Sequence, residues 1–79
     1  MVELWEYKVE NNRLTVKFFN DFLSNVQVSI HDTTGKNMDR KSSNMYVCEF
    51  DLSGYDFKKE EYFFIIKSSD EISFYPIKP

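Results

Sequence analysis

Apolar side chains recur at every second position along most of this chain. Leu14, Val16 and Phe18 alternate with Arg13, Thr15 and Lys17. Val26, Val28 and Ile30 alternate with Gln27, Ser29 and His31. A period of two belongs to strands that bury one face. Aromatic and β-branched residues fill the apolar positions, as a pleated, half-buried surface favours. No apolar stripe of helical period reaches ten residues, and the stretch from Leu52 to Glu61 has room for one helical turn at most. The chain is therefore expected to be all-β.

Turn residues divide the pattern into about seven short strands. The first runs from Val2 to Val9, with a turn at Glu10-Asn11-Asn12. The second spans Arg13 to Phe19, followed by a longer connection from Asn20 to Asn25 that passes between sheets. The third covers Val26 to Asp32. Thr33-Thr34-Gly35-Lys36 is a tight turn, with Gly35 free to take positive φ. A short polar fourth strand spans Asn37 to Arg40, and the fifth runs from Met45 to Leu52. An irregular segment from Ser53 to Glu61 leads to the sixth strand, Tyr62 to Ser68. Ser69-Asp70 turns into the last strand, Glu71 to Ile77. Strands this short, with turn signals every 8–12 residues, predict an immunoglobulin-like antiparallel β-sandwich. Tyr62-Phe63-Phe64-Ile65-Ile66 is apolar on both faces, which suits a central or doubly covered strand. Pro76 and Pro79 have no N–H to give, which sends the last strand to a sheet edge or ends it there.

Seventy-nine residues make one domain. A domain this small buries only about 60–65% of its unfolded surface, so its core must be dense. Eight Phe, five Tyr and Trp5 supply that density. Cys48 is the only cysteine, so no disulfide within the chain can staple the fold. The aromatics are nonetheless in surplus. Trp5, Tyr7, Phe19, Phe22, Tyr55, Phe57 and Tyr75 cannot all point inward beside Phe18, Phe50, Phe63 and Phe64. Some form either a thick core rim or an exposed contact surface. Tyr55 and Phe57, in the connection before the sixth strand, are the candidates for such a surface.

Net charge is −3 with the two signs interspersed. Nucleic-acid modules gather Lys and Arg on one face, and membrane-surface anchors carry polybasic runs; neither occurs here. No apolar stretch approaches the ~20 residues of a membrane-spanning helix. The acidic, alternating start Met1-Val2-Glu3-Leu4-Trp5-Glu6 is not a signal peptide. It fits a cytoplasmic protein or a mature domain whose leader has been replaced by a methionine.

From Val26 to Ser68 the succession of features resembles a known family. Val26-Gln27-Val28-Ser29-Ile30-His31-Asp32-Thr33-Thr34-Gly35-Lys36 is similar to a recurrent hairpin of alternating strand, Asp, turn, Gly and Lys. Phe50-Asp51-Leu52-Ser53-Gly54 resembles an Ile-Asp-Leu-Ser-Gly step, and Tyr62-Phe63-Phe64-Ile65-Ile66-Lys67 resembles the strand that follows it. These are features of small secreted immunoglobulin-like domains of unknown function from Bacteroidetes, related to the C-terminal sorting domains of the type IX secretion system. Asn11-Asn12-Arg13-Leu14-Thr15-Val16 matches their opening hairpin. The resemblance implies a secreted, periplasmic or cell-surface module with no catalytic residues. Such a module binds a protein or glycan, or serves as a structural accessory. An alternative of another class is a small intracellular protein, of phage or immunity type, that binds and inhibits one protein partner.

Each chemical candidate has a plainer structural reading. Asp32-Thr33-Thr34-Gly35 interrupts the Asp-Thr-Gly turn of aspartic proteases with an extra Thr, and that chemistry needs two carboxylates sharing a proton. A turn aspartate accepting backbone N–H groups explains it better. His31 and Cys48 each occur once; strand parity sends His31 to solvent and Cys48 to the core, so they point apart. Asp51, Asp56, Glu60 and Glu61 match no calcium-loop spacing. Tyr62 has the position of a tyrosine corner, its hydroxyl tied back to the preceding connection. The sequence thus predicts no catalytic, cofactor or metal site, no nucleic-acid partner and no membrane insertion. It leaves a monomer or a weak homodimer.

Overall fold

The computed structural model describes the backbone of residues 2–20, 26–43, 46–68 and 71–78, and their side chains except at 2–5, 19, 20 and 43. Seven strands follow in order: β1 (Val2–Glu10), β2 (Arg13–Asn20), β3 (Val26–Asp32), β4 (Asn37–Ser43), β5 (Val47–Asp51), β6 (Tyr62–Lys67) and β7 (Ile72–Ile77). They form two antiparallel sheets, β1-β2-β5 and β4-β3-β6-β7. The two sheets pack as a small β-sandwich of three strands against four. No helix occurs among the described residues, and none is long and apolar enough to cross a membrane. The expected connection through 21–25, the turn at Ser69-Asp70, the residues Met45, Phe22 and Pro79, and the side chains of Trp5 and Phe19 lie outside the described set.

The turns carry the geometry that their residues allow. Asn11 and Asn12 both hold positive φ, 54° and 58°. That is the backbone of a two-residue hairpin whose twist matches its strands, and Asn tolerates it better than most residues. It sets the register in which Arg13 faces Glu10 and Leu14 faces Val9. Gly35 takes φ +88° after β3.

The alternation closes the sandwich. Leu14, Val16 and Phe18 of β2 and Cys48 and Phe50 of β5 meet Val26, Val28 and Ile30 of β3 and Phe64 and Ile66 of β6. Leu52, Tyr62 and Ile77 complete the core, and all thirteen are at most 5% exposed. Tyr7, Val9, Tyr55, Phe57 and Tyr75 pack around it half-buried. Four of the surplus aromatics are thus core rim. Tyr7 meets the Phe64 ring edge-on at 4.9 Å, and Tyr75 stacks on Phe64 at 5.2 Å, which closes the β1–β7 side.

β4 runs to Ser43, three residues beyond its expected end. Arg40-Lys41-Ser42-Ser43 has no apolar alternation to betray a strand. Its backbone pairs with β3 regardless, down to Ser43 opposite Val26. Lys41 lies on the inward side of this edge strand, paired with Val28. Its ammonium donates to the Glu49 carbonyl at 2.6 Å and lies 5.3 Å from the centre of the Phe50 ring. An inward lysine of this kind seals the open side between β4 and β5 and blunts both edges.

Candidate functional site

The two outer faces differ in chemistry. The described outward residues of β1-β2-β5 are mainly charged and mutually paired: Lys17 with Glu6 at 3.3 Å, Lys8 with Glu10 at 3.5 Å, and Arg13 with Glu49 at 3.4 Å. This is a solvated face with its charges answered.

The outer face of β4-β3-β6-β7 is built otherwise. β6 is apolar at every position from Tyr62 to Ile66, and a two-layer sandwich covers only one side of it. Phe64 and Ile66 go to the core, so Phe63 and Ile65 go outward and are half-buried. β7 adds Pro76 opposite Phe63, Phe74 opposite Ile65, and Ile72 opposite Lys67. Phe74 is 65% exposed and Ile72 is 56% exposed. Phe63 stacks on His31 of β3 at 5.8 Å and lies 6.1 Å from Phe74 at an angle of 45°. The result is an apolar strip two strands wide. Its charged neighbours at outward strand positions are Lys67 and, beyond the polar lane of β3, Arg40. Among the described residues those positions hold no Asp or Glu.

A cavity of about 490 Å³ opens at the Pro76 end of the strip. Phe57, Phe63, Pro76 and Ile77 line it, with Glu60, Glu61 and Lys78 among its polar members.

The expected candidates fall as follows. Tyr62 is a tyrosine corner. It is buried at the start of β6, and its hydroxyl donates to Glu60 in the preceding connection at 3.1 Å. Burial, then the bond to Glu60 and the negative charges of Glu60 and Asp56, push its phenol up. Tyr55 stacks on its ring at 5.0 Å, and Phe57 meets it edge-on at 5.2 Å. Both of these side chains therefore wedge the corner, and both keep part of their surface exposed.

Asp32 is the turn residue that its sequence suggests. One carboxylate oxygen accepts from Thr34 N at 2.9 Å, Thr34 Oγ1 at 2.6 Å and Lys36 N at 3.0 Å. The Thr34 hydroxyl above all, with the two backbone bonds and the Lys36 charge, holds the carboxyl below its ordinary range against the opposing effect of burial. Cys48 lies in the core on β5, and His31 lies half-exposed on the outer side of the other sheet. Both His31 nitrogens are engaged: Nδ1 donates to the Gly35 carbonyl at 3.2 Å, and Nε2 meets Ser29 Oγ at 2.8 Å. Asp51 and Asp56 each accept a backbone N–H two residues on, from Ser53 and Lys58. No group of three or more potential metal ligands converges among the described residues.

The apolar strip was not singled out from the sequence. Its signal was present in the apolar run of β6 on both parities, which one covered face cannot satisfy. The parity of Ile72, Phe74 and Pro76 in β7 completes it.

No family model, no curated protein and no solved structure matches this chain.

Proposed function

We propose that this domain is a non-catalytic protein-binding module and that it docks through the outer face of β4-β3-β6-β7. The observation that carries this is the strip of exposed Ile72, Phe74 and Pro76 and half-buried Phe63 and Ile65, set against an opposite face that is mainly charged. Interface centres are depleted in charge and enriched in aromatic side chains, with a polar rim. A protein fits this strip better than a glycan. Sugar platforms use coplanar rings, whereas Phe63 and Phe74 are tilted by 45°, and two of the strip residues are isoleucines. Tyr55 and Phe57 would extend the contact only at its Pro76 end, where Phe57 lines the cavity. The resemblance of the Val26–Ser68 region to secreted and cell-surface domains supports a setting outside the cytoplasm.

The test is a photo-crosslinking amino acid placed at position 74 and, separately, at position 8 on the opposite face, in cells of the source organism. A discrete adduct at position 74, absent at position 8, is expected. Its partner, purified, should bind the wild-type domain and lose at least tenfold in affinity to an Ile72→Ser/Phe74→Ser variant. No adduct at position 74, or the same adducts at both positions, refutes the proposal.

A further inference from the structure

The dimensions and charges of the strip narrow what lies on it. From Pro76 to Ile72 it runs four residues along β7, about 14 Å at the strand rise. It is two strands wide, about 10 Å with side chains. Those are the length and breadth of about three turns of one α-helix. A strip of this size falls well short of the ~800 Å² per partner of a standard interface between two folded surfaces.

Two other occupants fit less well. An added strand would have to pair along β7, the free edge next to the strip, and Pro76 has no N–H for that ladder. A second copy laid face to face about a two-fold across the strands would set Arg40, level with Ile65 and Phe74, against its own copy, with no outward strand carboxylate among the described residues beside it. Like charges brought together across an interface are a cost that selects against the wrong partner.

We infer that the strip receives an amphipathic α-helix of a foreign protein whose apolar stripe is flanked by carboxylates. The stripe would cover Phe63, Ile65, Phe74 and Ile72. Carboxylates at one end and on the β3 side would meet Lys67 and Arg40. This rests on the reading of the face as a docking surface and specifies the partner's chemistry.

Two lactam-stapled helical peptides of fourteen residues serve as probes, since an unstapled helix of that length is marginal in water. Both carry the same leucine stripe; one has Glu on the flanks, the other Lys. Each is titrated into the ¹⁵N-labelled domain at low salt and at 0.5 M salt. The Glu peptide should give saturable shifts at Ile65, Lys67, Ile72 and Phe74. Its affinity should exceed that of the Lys peptide by about fivefold or more, and salt should shrink the difference. Arg40→Glu/Lys67→Glu, checked for an intact fold by its spectrum, should reverse the preference. The inference falls if neither peptide gives saturable shifts, if the shifts map to β1-β2-β5, or if the peptides bind equally. A crosslinked partner at position 74 together with failure of both peptides would overturn the helix alone. Failure of both experiments would remove the docking face itself.

Discussion

Phe64 and Phe74 lie on adjacent strands of one sheet, and truncating each measures the two faces against one another. Phe64 is fully buried, and Phe74 is 65% exposed. Burying a phenylalanine is worth about 1.5–3 kcal/mol. The Phe64 ring also meets Tyr7 and Tyr75, and each such pair adds about 0.5–1.5 kcal/mol. Phe64→Ala should therefore cost about 3–5 kcal/mol, the usual span for this substitution. A domain of this length holds about 4–12 kcal/mol in total. Because Phe64→Ala is close to that limit, Phe64→Leu, at about 1–2 kcal/mol, keeps the transition measurable. Phe74 has only about a third of its surface covered, so Phe74→Ala should cost less than about 1 kcal/mol. Urea unfolding followed by far-UV circular dichroism reads both. With a slope of about 1 kcal/mol per molar, Phe64→Leu lowers the midpoint by about 1–2 M and Phe74→Ala by less than about 1 M. If Phe74→Ala proved the more damaging of the two, the assignment of faces would be wrong, and the docking strip would go with it.

Alkaline titration tests the tyrosine corner. Tyr62 and Tyr55 have raised folded pKa values, Tyr55 through burial and then the charge of Asp39. A raised phenol contributes stability that is complete below its unfolded value of about 10 and is lost as pH rises through the folded value. The urea midpoint should hold from pH 7 to 9 and fall above 10, and Tyr62→Phe should flatten the fall. An identical fall in the variant would count against the corner. At the acid end, Asp32 is lowered, so its contribution is present above the ordinary carboxylate value of about 3.9 and is lost as pH falls through the folded value. Asp32→Asn should make stability less pH-dependent below pH 4; an unchanged acid profile would contradict the bonds to Thr34 and Lys36. Gly35→Ala meets no atom within 4 Å but must hold φ +88°, so it should cost about 1 kcal/mol by backbone strain alone. A neutral result in urea unfolding would mean that the turn relaxes. Cys48 is buried in the core; a thiol reagent should label it only as fast as the domain opens. Immediate labelling of native protein would place Cys48 at the surface.

Much of this protein is written in its alternation. A period of two fixes which side chains share a face, and that set the inward row of Leu14, Val16, Val28, Ile30, Cys48, Phe50, Phe64 and Ile66, all of which are buried. Turn residues placed the breaks, because Asn, Gly and Asp reach backbone conformations or local bonds that others resist. Pro76 foretold an edge strand, and β7 is one. The end of β4 was hidden, because an edge strand held by backbone pairing needs no apolar pattern. The rim was hidden too. Tyr7, Tyr55, Phe57 and Tyr75 read as surplus in the sequence, and only the curvature and closure of two sheets give them half-covered places.

The apolar strip required the tertiary structure. The sequence says that β6 is apolar on both parities; it does not say which strand lies beside it. Strand order is decided by long-range pairing, which has no local signature. Once β7 pairs with β6, Phe74 and Ile72 fall in line with Ile65 and Phe63, and a few scattered apolar residues become one surface. The same pairing sets Lys67 at the end of that surface, and β4 brings Arg40 to its far side. Local residue chemistry therefore determined the sandwich, its faces and its turns. The adjacency of strands, which depends on how both sheets close around one core, decided where the uncovered apolar surface lies.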